Sequence, residues 1–176
     1  NNEVTNENNE VGALENIVFK DGETVINDSQ IISKYLVPHI EFTNSKIDFS
    51  KIETIGSYAF SNTSLSGAME LASPLKRVGD HAFTYTKLTS LTVTDNVYLE
   101  EGAFSQVTPL TDVTIDETVK EMGGVVFYNT PWYNSFKGEY LIAGDGILLQ
   151  HFSNVKVESL VVPDTVKTVA AQAFNS

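Results

Sequence analysis

The chain has 176 residues, with 23 acidic against 11 basic side chains and a formal net charge of −12 at pH 7. That length allows one domain with a sizeable core, and that charge repels phosphate backbones and anionic lipid, which argues against nucleic acid or a membrane surface as partner. There is no cysteine, so disulfides, zinc–thiolate sites and thiol nucleophiles are excluded.

Seven Tyr, ten Phe and one Trp argue against a disordered chain. No run of 18 apolar residues is present, so no membrane span is expected. The first residue is Asn1 rather than Met, so any export signal is expected to have been removed already. Residues 1–13 are polar, acidic and Asn-rich and read as a flexible leader. Residues 14–44 read as an N-terminal cap. Ile17–Phe19 and Thr24–Ile26 flank Asp21-Gly22, a hairpin signal. Asp28 or Ser29 can then cap a short helix through Gln30–Tyr35, which Pro38 closes. The first strand after it is supplied by Val37, Ile40 and Phe42 or by Ile47 and Phe49.

Residues 45–176 are organised by one recurring block. It is clearest in Ile52-Glu-Thr-Ile55-Gly56-Ser-Tyr-Ala59-Phe60. Degraded copies end at Phe83, Phe104, Phe127 and Phe174, so successive phenylalanines lie 23, 21, 23 and 47 residues apart. A period of about 20–25 residues marks a solenoid. A second element lies between the phenylalanines. Leu88-Thr-Ser-Leu91-Thr-Val93, Leu110-Thr-Asp-Val113-Thr-Ile115 and Val157-Glu-Ser-Leu160-Val-Val162 share the pattern L-x-x-L-x-L. Leu65–Leu71 carries it with one extra residue, which suggests a bulge. The last two apolar positions alternate with period 2, as in a strand with one face inward. The glycine of each block is expected to permit a tight turn. The phenylalanines are expected to stack into a buried spine, and the small residues three positions later (Thr63, Thr86, Val107, Thr130) to point inward.

The unit L-x-x-L-x-L followed by I-x-x-I-G-x-x-A-F resembles the BspA-like leucine-rich repeats of bacterial surface proteins, over roughly residues 45–176. Relatives of that kind often carry Cys three residues after the Phe, where this chain has Thr or Val. The resemblance implies an α/β, β-rich solenoid, a right-handed leucine-rich-repeat superhelix with a parallel concave sheet. It also implies an adhesin-like, extracellular or surface-attached module that binds host or matrix proteins.

Residues 128–156 interrupt the period as an insertion. Thr130-Pro-Trp132-Tyr133 opens it, and Tyr140–Ala143 and Ile147–Gln150 flank Gly144-Asp145-Gly146 as a β-hairpin. Trp132, Tyr133, Phe136 and Tyr140 form its aromatic group, read first as packing the hairpin onto the solenoid. In the alternative, Trp132 and Tyr133 present a platform for a glycan or a protein. The outward strand positions are the main candidate partner surface: Glu70, Ser90, Thr92, Asp112 and Thr114.

No nucleophile motif, Walker loop or H-E-x-x-H is present, and Gly144-Asp-Gly146 reads as a turn rather than a phosphate loop. His39, His81 and His151 have no partner at metal-ligand spacing, and His81 reads as a surface position. No catalytic residue, metal or cofactor is therefore expected. The reading is a non-enzymatic recognition module for a protein ligand of unknown identity. A carbohydrate-binding accessory domain, or a structural spacer, is the alternative. Phe174 completes a block two residues before the last residue, where a further strand would start. An unprotected end of this kind implies a fragment of a longer solenoid, or end-to-end self-association through the C-terminal repeat.

Overall fold

Each repeat closes one coil, and the coils stack through backbone hydrogen bonds into a β-solenoid of about five turns with little helix. The computed structural model describes residues 31–32, 52–153 and 159–175. One face is a parallel sheet of two-residue strands, β1 (Ile31–Ile32), β2 (Thr54–Ile55), β4 (Arg77–Val78) and β6 (Tyr98–Leu99), in that order. A second parallel sheet contains β3 (Ser66–Leu71), β5 (Lys87–Val93) and β7 (Asp112–Ile115).

The strands of the second sheet carry the L-x-x-L-x-L pattern. Leu71, Leu88, Leu91 and Val93 are buried, while Ala68, Glu70, Asp112 and Thr114 are exposed. The expected irregularity is present but falls on the neighbouring strand. Gly67 pairs with Leu88 and Ala68 with Ser90, so Thr89 of β5 is the additional residue. Ser159–Val162, expected to form a strand, is irregular, and Val161 is 82% exposed. The sheet stops at β7 because the next coil enters a short helix instead, α1 (Pro131–Ser135). The Thr130 hydroxyl accepts from the Tyr133 amide, and Pro131 needs no amide partner in the first turn.

Ile31–Ile32 fall within the expected capping helix, yet they form a strand parallel to Thr54–Ile55. Ile32 and Tyr35 precede Ile55 and Tyr58 by 23 residues, so a worn copy of the repeat starts here. The leader, the Asp21-Gly22 hairpin, the rest of the cap and the alternative first strands lie outside the described residues.

Four phenylalanines form the spine. Phe60, Phe83, Phe104 and Phe127 are buried, with successive ring centroids 5.1, 4.8 and 6.1 Å apart. The hydroxyls of Thr63, Thr86 and Thr130 are buried beside them and donate to the carbonyls of Phe60, Phe83 and Phe127 at 2.8, 2.7 and 2.8 Å. Gly102 takes the left-handed turn expected of the block glycines (φ 60°), whereas two others act differently. Gly79 and Gly123 keep ordinary backbone angles, but a Cβ on Gly79 would lie 2.5 Å from the Ser57 amide nitrogen, and one on Gly123 would lie 2.7 Å from the Glu100 carbonyl carbon. They serve the close approach of one coil to the previous one rather than a turn.

Phe174 departs from the expected spine and is 46% exposed. The coil before it explains why. β8 (Tyr140–Ala143) and β9 (Ile147–His151) form an antiparallel hairpin, and β9 pairs in parallel with β10 (Thr168–Val169). The His151 amide donates to Ala173 at 2.7 Å, as the Phe60 amide does to Ala82 at 2.8 Å. His151 therefore occupies the phenylalanine position of the fifth coil, and the 47-residue gap is two periods. Phe174 packs on His151, centroids 5.6 Å apart, rather than on another phenylalanine. No described coil covers its other side.

Truncating Phe104 leaves a void between two stacked rings, so Phe104→Ala is expected to cost about 3–5 kcal/mol in urea unfolding. Phe174→Ala removes a ring already about half in water and is expected to cost about 1 kcal/mol. Equal losses for the two variants would contradict the assignment of the spine.

Candidate recognition surface

The second sheet places the outward residues in two straight rows. Ala68, Ser90 and Asp112 pair in register across β3, β5 and β7, and so do Glu70, Thr92 and Thr114. A parallel sheet spaces such neighbours by about 4.8 Å, so the five candidate residues share one patch about two strand spacings wide. The central Ser90 and Thr92 are half-buried by their neighbours, and the other three are exposed. The rows are low in relief. They offer hydroxyls and two carboxylates but no aromatic ring.

The insertion uses its rings for packing. Trp132 meets Phe127 edge-on at 5.1 Å and so ends the phenylalanine stack. Tyr133 and Phe136 converge on Phe152 at 5.2 and 5.7 Å. Tyr140 lies 5.0 Å from His151 and donates its hydroxyl to the Val161 carbonyl at 3.0 Å. Trp132 and Tyr133 are half-buried. Tyr133 keeps an edge contact with the exposed Tyr128 at 6.2 Å. Its phenol is pushed above the ordinary value of 10.0 by burial and by that neighbour, so it remains a neutral donor at pH 7.

A groove of about 590 Å3, not anticipated from the sequence, opens along the turns that carry the spine. The turn geometry produces it. Residues two before and two after the phenylalanines adopt positive φ, as at Tyr58 (59°), Asn62 (59°), His81 (52°) and Tyr85 (62°). Equivalent side chains then stand in columns across successive coils. Tyr58 and His81 stack at 5.3 Å, with rings 8° from parallel. The His81 ring lies over Gly102, where a Cβ would meet Nε2 at 2.6 Å, and Nδ1 is buried with no hydrogen-bond partner. His81 is thus a half-buried part of the groove rather than a loose surface position. The sequence signal was available. The residue two after each of the first four phenylalanines is Asn62, Tyr85, Gln106 or Asn129, all polar or amphipathic.

Among the described residues no group of three or more His, Asp or Glu side chains is placed to hold a metal. Nor is any helix there long and apolar enough to cross a membrane. The Gly144-Asp145-Gly146 turn is a structural clamp. Asp145 accepts from Lys120 Nζ at 2.9 Å and from Lys167 Nζ, tying the hairpin to the coils before and after it. The Asp145 carboxyl is held below its ordinary value of 3.8, first by the hydrogen bond from Lys167 and then by that from Lys120, with desolvation opposing.

Stacked coils with an L-x-x-L-x-L strand and a phenylalanine spine define a leucine-rich repeat protein. Residues 29–140 match the BspA type leucine rich repeat region in 6 copies, which is more than half of the 176 residues. The chain belongs to that family. It is also similar to the pneumococcal vaccine antigen PcpA, whose crystal structure superposes with a TM-score of 0.57 at 25% identity. That match covers 83% of this chain and 40% of the antigen, so the chain spans less than half of its length. No curated protein matches the chain.

The depressed Asp145 carboxyl gives a pH prediction. Its contribution to stability is fully present above the ordinary value of 3.8 and is lost as pH falls through the lower folded-state value. Asp145→Asn is expected to lower Tm at neutral pH, and the gap from the unaltered chain is expected to narrow between about pH 4 and about pH 2. A gap that stays constant over this range would show that the clamp is not electrostatic.

Proposed function

We propose that the chain is a non-enzymatic recognition module of a secreted or surface-attached bacterial protein, binding a host or matrix protein through the sheet of β3, β5 and β7. The observation that carries this reading is the register of Ala68–Ser90–Asp112 beside Glu70–Thr92–Thr114. It sets hydroxyls and carboxylates side by side in two outward rows. Such a face suits a flat protein epitope, with rim hydroxyls and carboxylates supplying hydrogen bonds and register. Membership of the BspA-type family and likeness to a pneumococcal vaccine antigen support an extracellular or surface location. The use of Trp132 for packing against Phe127 weighs against the insertion as the main contact surface.

Binding to a panel of immobilised extracellular-matrix proteins by surface plasmon resonance tests the proposal. Thr92→Arg and Thr114→Arg place a bulky cation on the face, and outward substitutions of this kind shift stability by less than about 0.5 kcal/mol. Both are expected to abolish capture of the partner while Tm stays unchanged. If capture survives both and is lost in Tyr133→Ala, the binding surface is the insertion and the groove that Tyr133 lines instead.

A further inference from the structure

The groove over the spine turns shares no residue with the sheet rows. We propose that it binds an uncharged oligosaccharide laid across the coils. Three features point to that chemistry.

The first is charge. Among the described residues lining the groove there is no Asp, Glu, Lys or Arg. An ionic ligand would find no carboxylate, ammonium or guanidinium partner there, His81 being the lining residue that can carry charge, and the net charge of −12 further opposes polyanions. A neutral ligand pays no such penalty.

The second is the pairing of ring faces with small neutral hydrogen-bonding groups. Tyr85 and Tyr128 are 54% and 52% exposed, yet both sit on the groove rather than in the core. They stand two coils apart, roughly 10 Å along the stack at about 4.8 Å per parallel neighbour. This matches the advance of an extended glycan over two sugars. The row one residue after the phenylalanines is Ser61, Thr84, Ser105 and then Tyr128. Thr84 and Ser105 are buried, with their hydroxyls 3.3 Å apart, so small hydroxyls lie deep and Tyr128 rises at the fourth coil. Gln106 accepts from Asn129 through its carbonyl oxygen at 2.7 Å, which orients its amide group. Tyrosine faces can take the CH faces of sugars, as they take other apolar surface. Amides and hydroxyls both donate and accept, as sugar hydroxyls require.

The third feature disfavours a peptide strand. The amides of Tyr58, Phe60 and Asn62 already bond Asp80, Ala82 and Thr84 of the next coil at 2.9, 2.8 and 2.8 Å. The amides of His81 and Phe83 bond Glu101 and Ala103 in the same way, at 3.0 and 2.8 Å. The groove therefore runs across a satisfied ladder and offers no free backbone edge for β-augmentation. Its recognition groups are side chains alone.

The test uses the full chain with neutral hexasaccharides of β-glucan, α-glucan, mannan and chitin type. Heparin and hyaluronan oligosaccharides serve as charged probes. At least one neutral hexasaccharide is expected to bind, with little dependence on salt. Tyr85→Ala and Tyr128→Ala are each expected to weaken that binding about tenfold, whereas Thr92→Arg leaves it intact. Saturation-transfer NMR on the unaltered chain gives a reading that does not rely on any variant, and is expected to show transfer to the same sugar. Binding of the charged probes alone overturns the proposal. So does the absence of any neutral binding, or neutral binding that both tyrosine variants leave unchanged. Because Thr92→Arg separates the two faces, loss of matrix-protein capture without loss of glycan binding leaves the groove assignment standing.

Discussion

The structure depends on one constraint: every coil must hand its backbone hydrogen bonds to the next coil, including those of its turns. Strands do this without effort, because alternate amides point sideways along the stack. A turn does not. This solenoid solves the problem with paired left-handed residues on either side of each spine phenylalanine. Positive φ at Tyr58 and Asn62 aims the amides of residues 58, 60 and 62 at one neighbour. The same device recurs at His81 and Tyr85, at Gly102 and Gln106, and at Val125 and Asn129. For a non-glycine residue this conformation costs about 1–2 kcal/mol. Bonds across the coils, each worth about 1 kcal/mol net, and the buried ring between the paired residues offset that cost.

The spine follows from the ladder. Once the turns are in register, the side chain between the two left-handed residues repeats at the coil spacing, and a flat ring fills that column best. The threonine three residues later covers the phenylalanine carbonyl, which also receives the Thr86 amide at 3.2 Å in the second coil and the Thr130 amide at 3.2 Å in the fourth. A buried acceptor is thereby satisfied twice over. The threonine packs beside the ring and adds a side-chain hydrogen bond of its own. The hairpin coil shows what the frame tolerates. It replaces the tight turn by a strand, sets His151 at the phenylalanine position of the ladder and still bonds Ala173. The last coil touches earlier turns past the hairpin: a Cβ on Gly124 would meet the Ala171 carbonyl oxygen at 2.4 Å, and Gln172 donates to Glu101 at 3.0 Å.

The sequence made the period, the spine and the hairpin legible, because apolar residues buried on every coil leave a regular mark. Phe60 through Phe127, the threonines beside them and the Gly144-Asp145-Gly146 turn were all readable on that basis. Other features were not. The strand at Ile31–Ile32 was hidden because two isoleucines after a capping serine fit a helix as well as a two-residue strand. The block glycines share one sequence position, yet Gly102 serves the turn while Gly79 answers to the distance of the backbone in the preceding coil, which no local pattern encodes. Thr89 was missed as the bulge because the extra residue can be counted on either partner, and only pairing decides. The candidate rows of the sheet were placed in register by the same strand pattern that predicted them. The groove left only a faint mark, the polar or amphipathic residues two after each phenylalanine, because its shape comes from backbone angles.

The last step concerns where such a fold can vary its chemistry. In the regular coils Leu, Phe and Ala are held by packing, so chemistry can vary most freely at positions the ladder leaves open. Two sets qualify. Outward strand residues form a flat face whose relief is limited by the pleat. Left-handed turn residues instead project from a tightly curved backbone, so large side chains there can rise on both sides of a row of small ones. That difference in relief suits the sheet face to broad contact with a folded partner and the turn groove to a narrow chain. The two surfaces also differ in residue type. The sheet rows carry small hydroxyls and carboxylates, whereas Tyr58, His81, Tyr85 and Tyr128 gather on the turns, where burial by the fold does not demand aromatic rings.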